Sequence, residues 1–278
     1  MFRTRFYLIR LQLNLGVSAT VRLSSQHAER HMEQPTVIDV TFDFREDTPP
    51  RADPDALSPT LRRYHRLLLS KNLPSGAPFI LDDRSPKAYL RHQSPLGDFV
   101  LTSDSVIPSF RKQRTLATIF EQIPAENREA FLRLGYTIGG MMVFPGNMIG
   151  RKMTINGARG CHPLIKDRFD LTLECIRRHY ASGQSPLSEV LARYDKFFRL
   201  FESFQGYVEF FLLQDLVCAD YSAVRFSVPF NDFAGSPVPA TLQEYLEYRD
   251  RAAEFIAARN ARILSDRAPN AHPRTDVL

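Results

Sequence analysis

The chain has 278 residues, 44% hydrophobic and 24% charged, which suits one large domain with its own core and argues against a repeat array. Its formal net charge of +5 is inflated by residues 1–34, where five Arg face two Glu; taking away that excess of three leaves +2, which is no footprint of a dedicated nucleic-acid binder. Cys161, Cys175 and Cys218 are odd in number and form no CxxC pair, which excludes a disulfide framework or cysteine zinc site and fits a reducing cytosol.

In chain order, residues 1–34 come first. FYLIRLQLNLGV is apolar but broken by Arg10, so it matches neither a secretory signal nor a membrane span, and it reads as a disordered or mis-started leader. A single globular domain is expected over residues 35–264. TVIDVTFDFRED alternates, with Val40, Phe42 and Phe44 on one face, and predicts a half-buried strand. The Pro- and Asp-rich stretch that follows is a loop, and Ser58-Pro59 is the N-cap and first position of a helix through Leu69. APFILDD and GDFVLTSDSVIP read as strands or turns, the second capped by Ser103-Asp104-Ser105, a turn that also suits a pocket at a strand end. Residues 116–134 carry helical spacing interrupted by Pro124.

Tyr136–Phe144 reads as a central strand turning through PGNMIG into a second strand, RKMTIN. Gly139-Gly140 inside it implies a bulge or a close approach, by a ligand, another backbone or the later helix. A helix is expected after Pro163 through Tyr180, then one over SPLSEVLARYDKFFRLFESF with an apolar stripe. GYVEFFLLQDLV suits strand or buried helix, YSAVRFSVPFNDF a strand, and TLQEYLEYRDRAAEFIAARNARIL a terminal helix. Residues 265–278 read as a disordered tail. The fold class is α+β: a mixed, mainly antiparallel sheet packed by several helices, with a core built largely on the 21 Phe.

The chemistry-bearing residues gather between Asn156 and the helix that follows. Backbone N–H groups at a helix start attract anions, and Arg159 in a Gly-flanked loop offers a planar two-point contact to phosphate or carboxylate. Asn156, Arg159 and Arg168 are therefore the candidate ligand-binding residues, and His162, Asp167 and Glu174 the candidate acid–base groups. Against this stands a plainer reading, in which Asp167, Asp170, Glu174 and Arg177 run along one helix face as ion pairs. The pattern fits no Walker or dinucleotide fingerprint, and no cofactor is identified.

The segments VTFDFRED, LSPTLRRYHRLLLSKNLPSG, YTIGGMMVFPG, TINGARG, IKDRFDLTLECIRRHY, SPLSEVLARYDKFFRLF and GYVEFFLLQDLV together resemble a bacterial protein family of unknown function, over about Thr36 to Ile263. The family pattern has a tryptophan near Leu69 that this chain lacks, and the resemblance implies no activity.

Three functions compete. The first is a cytoplasmic enzyme-like domain binding a small anionic ligand, a nucleotide or nucleic-acid-derived substrate, through residues 156–162, with no membrane partner. The second is a non-catalytic interaction or assembly module, antitoxin-like, that binds a protein partner. The third is a metal nuclease built on Asp39, Asp43 and Asp104.

Overall fold

The computed structural model describes residues 37–82, 89–107 and 114–266; the expected leader and tail lie outside these, apart from Ser265 and Asp266. The elements are α1 (Pro54–Leu57), α2 (Pro59–Leu69), β1 (Leu90–Ser94), β2 (Gly97–Ser105), α3 (Arg114–Glu121), α4 (Ala125–Gly135), β3 (Met141–Pro145), α5 (Ile155–Cys161), α6 (Phe169–Tyr180), α7 (Ser188–Arg193), α8 (Asp195–Phe198), α9 (Phe204–Phe210) and α10 (Leu242–Asp266). The fold is α+β in a single domain, as expected. Its described sheet is small and antiparallel throughout, in the order β1-β2-β3.

The capping signals act as read. Ser58 Oγ accepts from the Leu61 N–H at 3.0 Å, and Pro59 opens α2. Helix α2 buries His65 rather than exposing it: Nδ1 lies 2.9 Å from the Tyr89 hydroxyl, and burial pushes the imidazole pKa down to about 3, so it is neutral. Pro124 separates α3 from α4 as expected.

Several expected strands are absent. Residues 37–47 form turns instead, because Asp39 and Asp43 bond their own backbone: Asp39 Oδ1 accepts from the Thr41 N–H at 2.8 Å, and Asp43 Oδ1 from the Arg45 N–H at 3.0 Å. APFILDD, expected as strand or turn, contributes over its described residues only isolated bridges, Asn72 to Pro78 and Asp82 to Arg91. Residues 221–233 keep one bridge, Val217 to Val224, and place Tyr221, Asp232 and Phe233 at positive φ, which no extended strand allows.

The expected hairpin over 136–156 is also replaced. Gly139 and Gly140 belong to a 3₁₀ turn, β3 pairs with β2 (Ser105 opposite Met141), and RKMTIN forms no strand, since Thr154 caps α5. The two glycines allow a close approach by backbone. A Cβ on Gly140 would lie 2.1 Å from the Gly135 carbonyl oxygen, and one on Gly139 would lie 2.6 Å from the Ile256 oxygen of α10.

Helix α10 is fastened at this turn. Asn260 Oδ1 accepts from the Gly139 N–H at 2.8 Å, and its amide donates to Thr137 Oγ1 at 3.0 Å. Arg259, fully buried, donates to the carbonyls of Phe211, Gly139 and Met141 at 3.2, 3.0 and 2.7 Å. Burial without a carboxylate lowers its pKa to about 10.

The single helix expected over 185–204 is broken into α7, α8 and a 3₁₀ turn ending at Glu202, whose φ of 62° stops it. GYVEFFLLQDLV resolves as helix, α9, followed by a 3₁₀ turn. The breaks let Phe201, Tyr207, Phe210 and Phe211 converge, with ring centroids 5.0 to 5.4 Å apart for Phe201 and its three partners. This is the Phe-rich core that composition implied.

Candidate functional site

The segment from Thr154 to Cys161 is helix rather than the expected glycine-flanked loop. Thr154 Oγ1 caps it by accepting from the Gly157 N–H at 3.3 Å, and the seven residues of α5 end at His162. The next helix does not begin at Pro163. Lys166 and Asp167 adopt positive φ, 45° and 68°, which breaks the chain before α6 starts at Phe169.

This break aims Asp167 back at α5. Arg159 is fully buried, and its Nη1 pairs with Asp104 and, at 2.8 Å, with Asp167 Oδ1. Its Nη2 donates to the Asp167 carbonyl at 2.7 Å, and its Nε to Thr172 Oγ1 at 3.2 Å. The guanidinium also lies over the Phe144 ring, 5.6 Å from its centroid. Burial opposes the charge of Arg159, but the two carboxylates outweigh it and raise its pKa.

The other expected site residues fall in three places. Asn156 donates to Thr102 Oγ1 at 3.0 Å and the Ser103 carbonyl at 3.3 Å, tying α5 to β2. His162, half-buried at the end of α5, accepts the Leu164 N–H on Nδ1 at 3.2 Å. Arg168 and Asp170 form a separate buried pair; Arg168 donates to the Pro237 carbonyl at 3.2 Å and Asp170 accepts the Ser227 N–H at 2.9 Å, so the pair anchors the 225–240 segment. Glu174 is buried beneath Arg177 and Arg178, both at 2.8 Å. Its burial penalty is outweighed by these bonds, which lower its pKa. The structure thus brings Arg159 and Asp167 together and holds Arg168, Glu174 and His162 in other contacts.

The metal-nuclease trio does not assemble. Asp39 is engaged with Thr41, Asp43 with Arg45, and Asp104 with Arg159. Among the described residues no group of three or more His, Cys, Asp or Glu could hold a metal ion.

A cavity of about 680 Å³ opens beside the Asp104–Arg159–Asp167 bridge, between α1, the end of β2, α4 and α10. Asp53, Asp55, Asp104 and Asp167 supply carboxylates to its lining, and Ile107, Phe120, Phe131 and Tyr245 supply its apolar surface. The Asp104 and Asp167 side chains keep 20% and 35% of their surface exposed, while Arg159 keeps none. Burial raises the pKa of Asp104 to about 6, against the pull of Arg159. Asp55 reaches about 8, first from burial and then from the Asp104 charge, and among the described residues its Oδ1 has no hydrogen-bond partner.

Asp55 carried no sequence signal as a site residue. Asp53-Pro54 announces a one-turn helix, with Asp53 accepting the Asp55 N–H at 3.1 Å, and nothing in that local pattern says which wall α1 abuts. Asp104 was legible as a polar strand end, but its pairing with Arg159, 55 residues away, was not.

Fold and site together define an α+β protein with a carboxylate-walled cavity backed by a buried arginine. The chain belongs to the family of unknown function DUF6994, whose model matches residues 38–263. No curated protein matches the chain, and no solved structure does. No helix among the described residues is long and apolar enough to cross a membrane.

Proposed function

We propose that the protein is an enzyme-like small-molecule binder whose ligand occupies the cavity beside Asp104 and Asp167. The observation that carries this reading is the placement of two partly exposed carboxylates, locked from behind by the fully buried Arg159, on the wall of a cavity of about 680 Å³. That volume is in the range of small-ligand sites, roughly 300 to 1,000 Å³, and its lining sets carboxylates beside apolar and aromatic surface. Asp104, with a pKa of about 6, exchanges its proton near neutrality, which is what a general acid or base requires.

An anionic or nucleotide ligand held by Arg159 finds less support. The guanidinium is enclosed by Asp104, Asp167 and Thr172, so a phosphate would have to displace carboxylates from a buried cation.

A fragment screen by ligand-observed NMR tests the reading. Fragments should bind the wild-type protein and lose binding to Ala117→Trp, which fills the cavity from the exposed Ala117 of α3. Hits that bind both proteins equally would move the site elsewhere. No saturable hit at all would favour the non-catalytic interaction module.

A further inference from the structure

We infer that the cavity selects a protonated amine carried on an apolar or aromatic body, an inference that rests on the cavity being the ligand site. The argument begins with charge. Among the described residues Asp104 and Asp167 share one bridging cation, Arg159, so this bridge carries one negative charge more than it neutralises. Asp55 adds a third carboxyl group, protonated at neutrality, whose Oδ1 has no hydrogen-bond partner among the described residues. Glu129, also on the lining, is already paired with Arg45 at 2.6 Å, and Arg128 is a lining cation outside this wall's ion bridge.

An ammonium group fits this wall better than the other small charged groups. It is a compact cation with three donors and no acceptor, so it satisfies carboxylate oxygens without placing a lone pair against them. A divalent metal lacks a suitable ligand group among the described residues, and an anion would face uncompensated carboxylates.

The rest of the cavity sets the body of the ligand. Phe120 and Tyr245 meet edge to face with centroids 5.1 Å apart, and Phe131 and Ile107 extend the apolar surface. Such rings bury hydrocarbon and favour a nearby cation.

Three probes of equal shape separate charge from shape: phenylbutylamine, phenylbutanol and phenylbutyrate, titrated calorimetrically into the full chain. The amine should bind at least about tenfold more tightly than the alcohol, with the acid weakest. Asp167→Asn, close in shape to the original, should remove most of that preference while leaving alcohol affinity within about threefold, whereas Asp55→Asn, which replaces a carboxyl already protonated at neutral pH, should keep it. A thermal melt on each variant confirms that it is folded. Alcohol or acid binding as tightly as amine would overturn the amine selection and leave the cavity standing as a ligand site. Binding of none of the three, together with an empty fragment screen, would remove the cavity reading and the amine with it.

Discussion

Asp167 grips Arg159 at both ends of its own peptide unit. Its carboxylate meets Nη1 at 2.8 Å, its carbonyl accepts from Nη2 at 2.7 Å, and its N–H donates to the Arg159 carbonyl at 2.9 Å. The positive φ of Asp167 is what lets one residue make all three contacts.

Arg159→Met should therefore destabilise the protein strongly. It strips the cation from Asp104 and Asp167 and leaves carboxylates crowded against a buried wall, a loss of about 3 to 5 kcal/mol. Arg159→Lys should recover only part of this, because an ammonium cannot reach Asp104, Asp167 and Thr172 at once. Urea denaturation of the three proteins measures both losses, and equal stability of all three would show that the bridge contributes nothing.

Substitution at Asp167 separates charge from backbone. Asn tolerates the left-handed conformation and Ala does not, so Asp167→Ala should be less stable than Asp167→Asn by about 1 kcal/mol. Chemical denaturation midpoints give the order; an Ala variant as stable as Asn would mean the positive φ carries no strain.

The carboxyl of Asp55 predicts a pH dependence of definite sign. Its folded pKa lies near 8 against an ordinary value of 3.8, so between these limits the native state binds more protons than the unfolded state. Stability from this group is present at acid pH and is lost as pH rises from about 4 to about 8. Asp55→Asn cannot ionise, so its stability relative to wild type should grow with pH, by at least about 1 kcal/mol between pH 5 and 8 after allowance for partial solvent screening. Thermal melts of both proteins across that range test it, and a constant difference would place the Asp55 pKa near normal.

Two glycines should respond unequally to added bulk. Gly139→Ala drives a Cβ to 2.6 Å from the Ile256 carbonyl, where backbone must move, and should cost about 3 kcal/mol or more. Gly76→Ala meets nothing within 4 Å and carries only the penalty of φ +82°, about 1 to 2 kcal/mol. Comparing the two by denaturation isolates the docking of α10; equal losses would show that close approach at Gly139 is soft.

What could be read without coordinates was local. Ser58-Pro59 starts α2, Pro124 divides α3 from α4, and the spacing of residues 241–264 announces α10, because caps, prolines and apolar periodicity act within a few residues. The strands failed where side chains competed with pairing. Asp39 and Asp43 close turns on their own backbone, an option that alternation of Val40, Phe42 and Phe44 does not reveal.

The sequence determined a Phe-built α+β domain, through its composition and the order of its elements. It also located the Arg159–Asp167 neighbourhood as the richest in ionisable groups. Tertiary structure alone decided what those groups face. Asp104 reaches Arg159 across 55 residues, and α1 delivers Asp55 to the same wall. A helix face can be predicted from period and cap, but a buried cation's partners depend on which distant backbone satisfies it. That choice turned Arg159 inward and left carboxylates to line the cavity.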